Sequence, residues 1–192
     1  MTQRPEGDFL MVKGDQGSLS NPINDAFIFM KQMFISQYQA ALNMLESVIL
    51  KCPEDQWDDG TDQAPVWRVA YHTLFYTDLY LSKSEHAFQA DAMHHPGYQY
   101  LGKTSFDGKE VNILHRYTSA EVLHYLTSIR DRLTQAVREK DLESPSGIGW
   151  LPMTTAELHL YNIRHVQHQT AQLMERLHHA GIHGFPWIGT GE

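Results

Sequence analysis

The chain has 192 residues, 42% hydrophobic and 20% charged, the balance of one globular domain able to bury a core without disulfides or a structural metal. A formal net charge of −8 without a long basic run excludes a general nucleic-acid binder, which needs a positive face to displace counterions. No stretch is long and apolar enough to span a bilayer, and a single cysteine, Cys52, leaves no intrachain disulfide, so no membrane partner is expected and a reducing cytoplasm is the expected compartment.

Residues 1–20 form a polar arm rich in Gly, Ser and Gln, with no apolar signal core, ahead of one domain over 21–192. The first helix is predicted from about Pro22 to Lys51, with Asn21 as cap, Pro22 in the first turn and Pro53 closing it. A second is predicted from Pro65 to Ser84. Its Val66, Trp67, Val69, Leu74, Phe75 and Leu79 surround the axis, the pattern of a buried helix. Residues 85–117 lack periodicity and contain Pro96, Gly97, Gly102 and Gly108; loops of that length carry function or short elements of their own. A third helix is predicted from Ser119 to Lys140, capped by Thr118 or Ser119, with Glu121 at the positive end of its dipole. A fourth runs from Thr154 to Ala180, opened by the capping-box pair Thr154 and Glu157 and stopped at Gly181. The tail that follows is expected to be extended and packed through Phe185 and Trp187. The fold class is all-α, a four-helix bundle with a long second connection.

Histidine is the compositional outlier, with 12 residues, which raises the prospect of metal or proton chemistry. His72 sits midway along the most apolar helix, where an imidazole must find a hydrogen-bond or metal partner. On the fourth helix His165, His168 and Gln169 stand at i, i+3 and i+4, spacings that bring side chains together. Two ligands one turn apart and a third from a facing helix make a bundle metal site. Helical periodicity places Ile163, Val166, Leu173, Met174 and Leu177 on the buried face, with His165 at its margin. Gln169 falls between them, and His168 faces solvent or a partner subunit. His124 and His159 read as helix-surface residues, and His178 and His179 as last-turn cations complementing the dipole. His86, His94, His95 and His115 lie in or beside the long connection. Cys52 has no basic neighbour to make it a thiolate.

The segments AYHTLFYTDLYL and YNIRHVQHQTAQL, together with the order of the two motifs, resemble the DinB-like (DinB/YfiT) superfamily of four-helix bundles. The resemblance covers about Phe27 to Leu177. It implies an up-down-down-up bundle, often homodimeric, with a divalent metal, zinc or nickel, held by three histidines at its open end. The first of these matches His72 and the second His165. The third matches Gln169, while His168 matches the middle histidine of the relatives' H-V-Q-H-H run. Gln169 is a poorer zinc ligand than imidazole. Three outcomes are open: coordination by the Gln169 amide oxygen, replacement by His168 or a loop histidine, or loss of the metal.

The resemblance further implies metal-assisted chemistry on a small molecule, as in hydrolases and thiol S-transferases, where the metal lowers the pKa of a bound thiol or water. Asp78 or a loop histidine would be the general base. The competing expectation is a non-catalytic bundle with a degenerate metal site, serving as a dimerisation or small-ligand-binding module.

Overall fold

The computed structural model describes residues 22–60 and 64–191, so the N-terminal arm and the Asn21 cap lie outside the described residues. Among these residues there are five helices and no strand: α1 (Pro22–Lys51), α2 (Glu54–Trp57), α3 (Val66–Leu81), α4 (Ser119–Glu139) and α5 (Thr155–His179). The protein is all-α. α1 and α3 each pack against both α4 and α5 and touch one another little.

Helix ends follow from local chemistry. The four-residue α2, absent from the predicted elements, follows Pro53, whose extended backbone precedes its first turn. Pro65 likewise stands just outside α3, at φ −66° and ψ 162°, one position earlier than predicted. α3 also ends three residues short of the predicted Ser84. The Ser82 hydroxyl bonds the Leu79 carbonyl at 2.6 Å, and Lys140 Nζ takes the Tyr80 carbonyl at 2.9 Å, so the last turn finds its partners there. Both α4 and α5 open with complete capping boxes, Thr118 with Glu121 and Thr154 with Glu157. Gly181, at φ +82°, ends α5 in a Schellman turn: its N–H bonds the His178 carbonyl and the Ile182 N–H bonds Leu177.

Every residue of α3 except His72 is buried. Cover comes from α4, α5 and the stretch between α3 and α4. Residues of that stretch are tied down one by one. The Tyr98 hydroxyl accepts from the amides of Leu114 and His115, and the Tyr117 hydroxyl donates to the Met93 carbonyl. Arg68 reaches the Gly102 carbonyl at 3.0 Å, and Trp57 Nε1 donates to the Tyr117 carbonyl at 2.8 Å.

Side-chain pairs fix how the helices meet. α1 meets α5 at Tyr38–His159 and Met44–Gln167, and α4 at Lys31–Arg138 and Glu46–Arg130. α3 meets α5 at His72–His165 and Thr77–Asn162, and α4 at Tyr71–Tyr125 and Asp78–Arg132. The tail is extended and runs back along α1, with Lys51 bonded to the Gly184 carbonyl and Gln37 to the Gly189 carbonyl. Phe185 packs on the core, but Trp187 is 80% exposed, against the sequence expectation.

Each capping threonine satisfies an otherwise orphaned first-turn amide. Thr118→Ala and Thr154→Ala are each expected to lower unfolding free energy by about 1 kcal/mol. Urea denaturation of the two variants checks this, and unchanged midpoints would remove the boxes from the account.

Candidate functional site

Two stripes at helical i+4 spacing face each other. His72, Tyr76 and Tyr80 descend α3, while Gln169, His165 and Tyr161 ascend α5. Between them lies a cavity of about 620 Å³ lined by these six side chains and by Phe106 and Trp150 from the connecting segments.

The two imidazoles meet on its floor, with His72 Nε2 and His165 Nε2 3.2 Å apart. His72 Nδ1 donates to the Gln99 carbonyl at 2.6 Å, which fixes the tautomer and leaves the Nε2 lone pair directed at His165. Burial pushes the pKa of His72 down, despite the opposing effect of the Gln99 bond. Burial, with the neighbouring His72 and His168 adding to it, pushes that of His165 down to about 3. Both rings are therefore neutral near pH 7, the state that binds a metal. Gln169 is buried, and its Oε1 has no hydrogen-bond partner within the protein; nor has His165 Nδ1. The Tyr76 ring packs on both imidazoles, 4.8 Å from His72 and 6.1 Å from His165 between centroids.

These donors fit a divalent metal in one respect and strain the fit in another. Two nitrogens bound to one tetrahedral zinc at bond lengths of about 2.0–2.1 Å stand roughly 3.3 Å apart, close to the observed separation. The partnerless Gln169 oxygen is a third donor. Yet among the described residues no three His, Cys, Asp or Glu side chains gather to hold a metal ion. The donor set is thus two imidazoles and one neutral amide oxygen, weaker for zinc than three imidazoles.

A family model described as the DinB superfamily matches residues 37–173. The chain belongs to the DinB superfamily. The matched span includes His72, His165 and Gln169, and with them most of the residues of the described helices. No curated protein and no solved structure matches the chain.

The remaining sequence candidates of this DinB-superfamily protein lie elsewhere. His168 is exposed and pairs with Gln172 at 3.1 Å. Asp78 cannot serve the cavity as a base. It is buried against α4, bound by Arg132 at 2.9 Å and the Tyr125 hydroxyl at 3.0 Å. Of the loop histidines, His94 accepts from or donates to the Tyr71 hydroxyl at 2.7 Å, and His95 stacks edge-on with His115; none lines the cavity. His124, His178 and His179 are exposed. Cys52 is half-buried, and burial beside Asp55 and Glu54 pushes its thiol up to about 12, far from a thiolate.

His159 corrects the sequence reading. It is a core residue, not a surface one, with Nδ1 3.2 Å from the Tyr38 hydroxyl and its ring against Phe34. Sequence reasoning also missed the aromatic wall. Tyr76 and Tyr80 follow His72 at i+4 and i+8, and Tyr161 precedes His165 by four, so that part was legible from spacing. Phe106, Trp150 and the Gln99 carbonyl come from irregular segments with no such signal.

Burial, together with the charges of Lys140 and Lys31, pushes His159 down to about 3. Its unfolded value is about 6.5. Below that pH the unfolded chain binds a proton that the folded one refuses, so stability falls as pH drops from about 6.5 towards 3. Each buried histidine contributes up to about 1.4 kcal/mol per pH unit. His159→Gln, which keeps a partner for Tyr38, is expected to remove one histidine's share of that slope. Unfolding free energies at pH 7 and pH 5 test it, and equal slopes in variant and parent would refute it.

Proposed function

We propose that this DinB-superfamily protein binds a divalent metal, zinc or nickel, weakly through His72, His165 and Gln169, beside a small-molecule cavity. The observation that carries the reading is the 3.2 Å approach of two neutral imidazole nitrogens, one of them oriented by the Gln99 carbonyl. Gln169 supplies a buried acceptor without a protein partner beside them. His168, turned to solvent, is the reserve ligand only after a local rotation of α5.

A bound metal would supply Lewis acidity and an activated thiol or water, as a hydrolase or thiol S-transferase needs. The chain's own residues hold the two rings neutral, aim their Nε2 atoms and wall the cavity with aromatics. Neither a carboxylate nor a lysine lines the cavity among the described residues, so a proton leaving the reactants has no side-chain base to receive it beyond the ligands. That observation favours a second reading, a non-catalytic small-ligand-binding module with a degenerate metal site.

The reading extends to architecture and context. The pairings of Tyr38 with His159 and Met44 with Gln167 support α1 and α5 running the same way. Those of α3 with α4 support a second parallel pair, hence a single-domain up-down-down-up bundle whose α3–α4 connection is long. Homodimerisation is proposed through the first half of α1, where Ile23, Ile28, Phe29 and Met33 are exposed, since α3 is covered within the chain. A cytoplasmic setting rests on the single free cysteine. No helix among the described residues is long and apolar enough to cross a membrane.

Metal analysis and calorimetric titration of untagged protein test the site. One zinc or nickel per chain is expected, lost in His72→Ala. Gln169→His is expected to tighten zinc binding at least about tenfold, because imidazole replaces a neutral amide oxygen. Failure of both the parent and Gln169→His to take up metal at neutral pH would end the metal reading.

A further inference from the structure

The walls of the cavity above His72 and His165 carry more information than its floor. Tyr76 and Tyr80 line it from α3, Tyr161 from α5, and Trp150 and Phe106 from the connecting segments. Their rings form a connected set: Tyr76 to Tyr80 at 5.8 Å between centroids, and Tyr80 to Tyr161 at 5.7 Å edge to face. Tyr76 in turn packs on both histidines. None of the described lining residues is Asp, Glu, Lys or Arg.

Such walls sort ligands by chemistry. A charged group without a metal to meet it would give up its hydration for no opposite charge. A sugar-like ligand would leave most of its hydroxyls without partners against ring faces. A flat ring system would stack or meet edges on two or three sides. The floor adds a polar requirement, since Gln169 Oε1 is a buried acceptor with no protein donor. A ligand O–H or N–H on the ring edge satisfies it. The rim residues Phe106, Trp150 and Tyr161 are 84%, 54% and 36% exposed, large apolar side chains left for an occupant to cover.

We infer that the cavity between α3 and α5 binds a planar, uncharged aromatic molecule bearing one hydrogen-bond donor, packed against the connected rings of Tyr76, Tyr80 and Tyr161 and against Trp150, with its donor at Gln169. The inference deepens the proposed small-molecule role of this site, but stacking on the walls does not require the metal. A ligand whose donor ionises would place that atom at the metal when one is present, with the ring in the same place.

The test uses the full chain, first treated with chelator and then loaded with zinc, titrated calorimetrically with 1-naphthol and with its saturated counterpart decahydro-1-naphthol. Metal-free protein is expected to bind 1-naphthol at least about fivefold more tightly than the saturated alcohol, which has similar size and a hydroxyl, a weaker donor, but no ring face; because donor strength also favours 1-naphthol, the preference is expected to shrink in Trp150→Ala, which removes a ring and leaves Gln169 in place. Trp150→Ala and Tyr161→Ala, both at the partly exposed rim, are expected to weaken 1-naphthol binding by a similar factor while the helical circular dichroism is unchanged. Leu160→Ala, exposed on α5 outside the cavity, should leave binding unaltered. Equal affinity for the two alcohols, no binding of 1-naphthol, or indifference to both rim substitutions overturns the inference. So does a Trp150→Ala protein whose only change is loss of a dimer in light scattering, because a second copy would then be what covers the rim. Naphthol binding by protein that takes up no zinc sustains the inference and overturns only the metal reading.

Discussion

The hydrogen bond from His72 Nδ1 to the Gln99 carbonyl is the constraint on which the site depends. α3 is otherwise buried along its length, and its one partly exposed residue is this histidine. An imidazole in that setting would rotate or drag in water without an anchor. The carbonyl holds one nitrogen protonated and leaves the other as a lone pair, so the separation of 3.2 Å from His165 becomes a defined geometry. The carbonyl is itself held by an irregular segment. Gly97, at φ +93°, lets the chain turn back so that its amide meets the Gln99 side chain at 3.0 Å. The orientation of a core histidine is therefore set by a surface segment, through Tyr98, Tyr117 and Arg68 as much as through Gln99.

The same chain spends its ionic chemistry away from the cavity. Asp78, Tyr125 and Arg132 make a bridge between α3 and α4, one turn and a half beyond His72 and around the helix from it. Removing the carboxylate would strand a buried phenol and an arginine, so this triad belongs to the packing of α3 on α4. Lys140 does related service at the α3 C-terminus, and burial pushes its pKa down to about 8. The result is a cavity floor made entirely of neutral donors, facing a wall of rings.

What could be read in advance was whatever repeats with the helix. The four long helices, the capping box at Thr154 and the Gly181 stop all follow from local chemistry. So does the inward placement of Gln169 against the outward placement of His168, because a 100° step separates them on α5. The reading failed where periodicity is silent or misleads. His159 stands between Leu158 and Leu160, and the local pattern does not show which of the three faces inward. His159 is in the core because Tyr38 from α1 supplies its partner, a contact across 121 residues. Ser82 ends α3 early through its own hydroxyl, a local competition with the backbone that an apolar pattern does not register. Trp150, Phe106 and the Gln99 carbonyl reach the cavity from segments with no repeat at all.

The near absence of contact between α1 and α3 has a bearing on how the chain comes to be folded. Neither helix can cover the other, since both lean on α4 and α5. During synthesis α3 emerges with apolar residues on every side, and His72 emerges with them. Its facing partner on α5 follows only 93 residues later. Until α4 follows, α1 and α3 have little to pack on beyond the segment after α3, and the α3–α5 contacts wait for the last helix, a non-local and aggregation-exposed order of events. The cavity is thus among the last features to exist, completed when the final helix closes over a helix made long before.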